Sequence, residues 1–108
     1  MNKPNGNGSG ALYKVAYAEL VQSALKDLLG RAKEKGILGE VLAAVKEIDG
    51  RRHRDPTVFG EPHQNLKHGK GQVRTAFVRP LAVAYIVYEE ERTVLVTRPL
   101  LPLPEIGL

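Results

Sequence analysis

Apolar and polar positions change their period several times along this 108-residue chain. Over residues 11–17, Tyr13, Val15 and Tyr17 alternate with Leu12, Lys14 and Ala16, the period of two expected of a strand. The period then lengthens. Val21, Ala24, Leu25, Leu28, Leu29 and Ala32 recur at helical spacing and predict an amphipathic helix over residues 19–35. Glu19 at its start and Lys33 and Lys35 at its end match the helix dipole. Gly36 supplies a stop, because glycine takes the left-handed conformation cheaply. Leu38, Val41, Leu42, Val45 and Ile48 form a second stripe, predicting a helix over residues 38–48 that Gly50 ends. So short a link makes the two helices an antiparallel hairpin.

Residues 51–70 hold Asp55-Pro56, Gly60-Glu61-Pro62 and His68-Gly69-Lys70-Gly71, and are expected to be irregular. Val58 and Phe59 are expected to tack this stretch onto the core. A meander follows. Residues 72–79 place Val73, Thr75 and Phe77 on one face and Arg74, Ala76 and Val78 on the other. Residues 81–88 are nearly all apolar, as in a central strand buried on both faces. Residues 89–92 read as a polar turn and residues 93–98 as the last strand. The apolar stripes of the helices need a surface, so the expected fold class is α+β. It has two layers, in the order βααβββ, with the helix hairpin packed on a mainly antiparallel sheet. Residues 1–10, rich in Asn and Gly, are expected to form a flexible leader to a single domain over residues 11–98. In the tail, residues 99–108, Pro99, Pro102 and Pro104 prevent a helix or full sheet pairing. Its four leucines and Ile106 can dock elsewhere, including on a second copy in a homodimer.

Composition narrows the chemistry. There is no cysteine and there are three histidines, which excludes disulfides, thiolate zinc sites and a cysteine nucleophile. The sequence predicts neither a metal nor a cofactor. No apolar run approaches the ~20 residues of a membrane-spanning helix. The first ten residues lack the apolar segment of a signal peptide, so the expected location is the cytoplasm, away from membranes.

The net charge is +4, from 16 Lys and Arg against 12 Asp and Glu. Residues 46–79 carry all of it: eight bases (Lys46, Arg51, Arg52, Arg54, Lys67, Lys70, Arg74 and Arg79) against four acids (Glu47, Asp49, Asp55 and Glu61). His53, His63 and His68 fall in the same window. Such asymmetry points to an anionic partner, nucleic acid or an acidic protein, although a solvated loop carries such charge equally well.

Within it, Arg51, Arg52, Arg54, Lys67 and Lys70 are candidate RNA or anion contacts. Arg74 and Arg79 are candidate catalytic or phosphate contacts, but five positions apart on a strand they point to opposite faces. His68, and less so His63, is a candidate general base, since imidazole titrates near neutral pH. Ordinary polar loop histidines are the simpler account, and a spacing of five is no metal pattern. Tyr85 is expected in the core with its hydroxyl at the rim, and Tyr88 at the surface. The His68-Gly69-Lys70-Gly71 stretch precedes a strand and lacks the Walker spacing, which excludes nucleotide binding by that route.

The element order, Gly60-Glu61-Pro62-His63 followed by Leu66, and the strand Leu81-Ala82-Val83-Ala84-Tyr85-Ile86-Val87 ending in Glu89 and Glu90 resemble the RelE/ParE-like toxin superfamily of bacterial toxin–antitoxin modules. The likeness covers roughly residues 13–98. It implies a RelE-like fold and a cognate antitoxin as partner. It also implies a toxin that is either a ribosome-dependent mRNA endonuclease or a gyrase-directed poison. Where the family strand carries an arginine this chain has Ala82, and after the last strand it offers Arg98 and then a proline-rich tail. These departures favour the alternative of a catalytically inactive interaction module, which binds an antitoxin or itself.

Overall fold

The computed structural model describes residues 12–65 and 70–104. Its elements run β1 (Lys14–Tyr17), α1 (Glu19–Lys35), α2 (Leu38–Arg54), α3 (Pro56–Phe59), β2 (Glu61–Asn65), β3 (Gln72–Val78), β4 (Leu81–Tyr88), β5 (Thr93–Val96) and β6 (Leu101–Pro102). The fold is α+β, with α1 and α2 covering one face of a mixed six-stranded sheet.

The amphipathic stripes place the helices. Val21, Leu28 and Ala32 of α1 and Val41, Ala44 and Ile48 of α2 are buried against Leu81, Val83, Tyr85 and Val87 of β4 and Val94 and Val96 of β5. α1 stops at Gly36, whose φ of 76° is the left-handed region, and its N–H reaches back to the Lys33 carbonyl at 3.1 Å.

α2 runs one and a half turns beyond the expected end, through Gly50 to Arg54. Glycine inside a helix costs about 1 kcal/mol relative to alanine. Contacts of the final turn offset that cost. Arg51 pairs with Asp55 at 2.8 Å, the Arg52 guanidinium lies 5.3 Å from the centre of the Tyr17 ring, and the His53 carbonyl accepts from the Tyr13 N–H at 2.8 Å while its Nδ1 lies 3.1 Å from the Tyr13 oxygen.

The sheet order is β1-β5-β4-β3-β2. β1 runs parallel to β5, pairing Val15 with Val94 and Tyr17 with Val96. β2–β3, β3–β4 and β4–β5 are antiparallel. Part of the stretch expected to be irregular, and two residues of the tail expected not to pair fully, join this sheet. β2 is an edge strand of polar residues and a proline, so no apolar alternation marks it. β6 continues the line of β5 along β4, pairing Leu81 with Pro102 and Ala82 with Leu101. Both strands lie at edges, where a missing proline N–H costs the ladder little.

β4 is central, but its burial alternates. Leu81, Val83, Tyr85 and Val87 face the helices and are buried, whereas Ala82, Ala84, Ile86 and Tyr88 are only half-buried on the other face. In α3, Phe59 packs on the core, with its ring stacked 5.9 Å from that of Tyr85. Val58, expected beside it, instead turns outward and is exposed.

Candidate functional site

The sheet face opposite the helices is uncovered by any described element. Strand alternation dictates which side chains line it. Register places Phe77, Ala82 and Leu101 in one row, Glu61, Thr75 and Ala84 in the next, and Val73, Ile86, Leu95 and Ala16 in a third. In an antiparallel pair, directly opposed residues share a face.

A β-bulge adds chemistry to this face. Pro62 lies opposite Arg74 and Gln64 opposite Val73, so His63 is the extra residue with no register partner. Bulges re-aim side chains in this way. His63 lines a cleft of about 330 Å³ with Val73, Thr75, Ala84, Ile86 and Arg98. The cleft exists because β5 ends at Val96 and β6 begins at Leu101, leaving the β4 edge near Ala84 without a strand partner on that side. Arg98 sits in that interruption. An adjoining hollow of about 300 Å³ shares His63, Thr75, Ala84 and Arg98 and extends to Phe77 and Leu101. Phe77 is 71% exposed and Leu101 62% exposed, so this end of the face is apolar and open.

The residues favoured from sequence are dispersed. Arg74 faces the helices and is buried. Its Nη2 donates to the Gly60 carbonyl and its Nη1 to Gln72 Oε1 at 2.5 Å, so it anchors the chain between α3 and β2. Arg79 is exposed in the turn after β3. The two arginines point to different surroundings: Arg74 into the core, Arg79 to solvent. Arg51, Arg52 and Arg54 occupy the last turn of α2, on the helix side of the molecule. Arg51 is held by Asp55, which raises its pKa, and its guanidinium stacks 5.0 Å over the Phe59 ring. Arg52 is 4% exposed, and burial lowers its pKa. Arg54 is exposed. Lys70 pairs with Glu90 at 3.2 Å across the surface. Lys67 and His68 lie outside the described residues. The basic window of the sequence is therefore divided between the helix side, the core and the sheet edge.

Tyr85 is 1% exposed, and its hydroxyl donates to the Pro56 carbonyl at 2.7 Å rather than reaching the rim. Burial pushes its pKa up. Tyr17, on the helix side, donates to Asp49, and burial together with that carboxylate pushes its pKa up to about 12.

His63 and Arg98 are the pair that sequence reasoning did not join. Each was visible as a residue type, but their meeting depends on a bulge in a strand without apolar alternation and on the gap between β5 and β6. Together they can do proton transfer and stabilise negative charge. An imidazole can take or give a proton near neutral pH, and a guanidinium holds a phosphoryl oxygen. Among the described residues, no group of three or more His, Asp or Glu could hold a metal ion, and no helix is long and apolar enough to cross a membrane.

Comparison with known protein families, with curated proteins and with solved structures finds no match to this chain.

Proposed function

We propose that this protein is a RelE/ParE-like component of toxin–antitoxin type that binds single-stranded RNA across the open face of its sheet and cleaves it there. One observation carries the reading: a single cleft on that face gathers His63, Thr75 and Arg98 beside an exposed aromatic ring, Phe77. Single-stranded RNA offers this arrangement what it needs. A splayed base stacks on an aromatic face, and a phosphate sits against a cation. His63 takes the proton of the attacking 2′-hydroxyl as its oxygen bonds to phosphorus. Arg98 stabilises the charge gathering on the phosphoryl oxygens as the bond from phosphorus to the 5′-oxygen of the next nucleotide breaks, leaving a 2′,3′-cyclic phosphate, and the departing 5′-oxygen takes its proton from solvent water. The order strand, helix hairpin, meander supports placing the chain in this superfamily.

The test is cell-free translation of a reporter mRNA, with primer extension to find cut ends. Intact protein stops translation and yields discrete ends. His63→Ala and Arg98→Ala each lose both effects by about tenfold to a thousandfold. Full activity in both variants overturns the assignment.

A second reading rests on a different observation, the neighbouring exposed side chains Phe77 and Leu101. Exposed apolar pairs on a sheet face serve protein partners, and an antitoxin segment or a second copy would cover them. Light scattering of intact protein against Leu101→Ser distinguishes self-association from a monomer awaiting another partner.

A further inference from the structure

On the helix side of the molecule, α1, α2 and β1 enclose a second cavity of about 310 Å³. Most of its wall is apolar, formed by Val21 and Leu25 of α1, Val45 of α2 and Leu100 of the tail. Tyr17, Asp49 and Arg52 line its polar end, with Lys46 and Gln22 beside them. This cavity belongs to the face opposite the His63 cleft, so it is independent of the function proposed above.

Arg52 is the unusual group. It lies in the last turn of α2, is 4% exposed, and its Nε and Nη1 are buried with no hydrogen-bond partner. Its guanidinium carbon lies 5.3 Å from the centre of the Tyr17 ring. Asp49 attracts it electrostatically but makes no ion pair with it, because that carboxylate accepts from the Tyr17 hydroxyl and lies 3.6 Å from His53 Nε2. A guanidinium cannot shed its proton at physiological pH. Burying it with unused donors is therefore costly unless something supplies acceptors. Arg52 lines the cavity. The cavity is also of the size that takes small organic ligands.

We propose that this cavity binds a small organic monoanion, a carboxylate on an aliphatic or aromatic body. The carboxylate accepts from Arg52, with Lys46 adding positive charge at the mouth. The body lies along Val21, Leu25, Val45 and Leu100. A carboxylate fits because it supplies acceptor oxygens to a guanidinium. An inorganic anion would leave the apolar wall unused.

The experiment titrates the full chain, labelled with nitrogen-15, with sodium octanoate, 1-octanol and sodium acetate, following amide shifts by NMR. Octanoate is expected to bind saturably and to shift amides of Val21, Leu25, Val45 and Arg52. 1-Octanol, which lacks the charge, and acetate, which lacks the body, each bind at least about tenfold more weakly. Arg52→Met removes the donors and weakens octanoate at least about tenfold. Leu25→Phe fills the hollow, keeps the charge, and weakens it likewise. Circular dichroism checks that each variant is folded, and Leu25→Phe decides alone if Arg52→Met does not fold. The proposal is overturned if octanoate does not saturate or if 1-octanol binds equally well. It is equally overturned if the shifts map to the His63 cleft, or if folded Leu25→Phe retains the original affinity.

Discussion

The guanidinium of Arg74 donates to the main-chain carbonyl of Gly60, tying β3 to the chain that leads from α3 into β2. Gly60 is a close approach. A Cβ there would stand 2.7 Å from the Tyr85 hydroxyl and 2.9 Å from the Thr75 carbonyl oxygen. The Tyr85 hydroxyl in turn holds the Pro56 carbonyl. This cluster sets where β2, and hence His63, meets the sheet.

Replacing Arg74 with methionine keeps the apolar stem and removes the donors. The Gly60 carbonyl is then left without its charged partner. Hydrogen bonds to charged groups contribute about 1.5–3 kcal/mol, so Arg74→Met should lower the free energy of unfolding by that order in urea titrations. If the stability of Arg74→Met equals that of the parent, the anchoring role is wrong.

Gly60→Ala puts a methyl group against a main-chain carbonyl and a buried hydroxyl, neither of which is a flexible side-chain end free to swing away. Overpacking of this kind costs typically about 1–3 kcal/mol. The expected result is a lower urea midpoint with an unchanged slope, and weaker RNA cleavage through displacement of His63.

Tyr17 makes the protein sensitive to alkali. Its pKa is pushed up to about 12 in the fold, against an ordinary value of 10.0. Below pH 10 the phenol is protonated in folded and unfolded chains alike, and its contribution is fully present. Between about pH 10 and pH 12 the unfolded chain gives up the proton while the folded chain holds it, so stability falls as pH rises. Tyr85, also shifted upward by burial, adds in the same direction. Urea midpoints measured from pH 8 to pH 12 should therefore decline most steeply at the alkaline end. Tyr17→Phe, which cannot ionise, should flatten that decline, at a cost of about 1 kcal/mol near neutral pH for the lost bond to Asp49. An identical pH profile in both proteins would contradict this account.

Phe77→Ser should leave the fold nearly untouched, because the ring is exposed and supports no core packing. Its change in stability should lie within about 0.5 kcal/mol, read from the thermal midpoint. RNA binding should weaken nonetheless, through loss of a stacking surface worth about 1–3 kcal/mol per base.

The apolar stripes of α1 and α2 were legible because each buries one face, and burial is what writes a period into a sequence. β4 was legible as a strand from its apolar run, but the expected burial on both faces is fulfilled on one only. Gly36 was legible as a stop because a left-handed residue closes α1. Gly50 misled, since the final turn of α2 is held by Arg51 through nearby Asp55, and by Arg52 and His53 through Tyr17 and Tyr13, which are distant in the chain. β2 and β6 were illegible. Their place comes from pairing at a sheet edge, which asks little of side-chain pattern. The site suffered for the same reason. Charge counting found the arginines, but helix and strand geometry turned Arg52 and Arg74 inward, and a bulge in an edge strand brought His63 to the cleft that Arg98 also lines.

The most direct measurement is an NMR titration of the nitrogen-15-labelled protein with a short single-stranded RNA whose 2′-hydroxyls are methylated to prevent cleavage. The account predicts shifts at His63, Thr75, Ala84 and Arg98, weakening as salt is raised. Shifts confined to Arg51 and Arg54 at the end of α2, or no shifts at all, would contradict it.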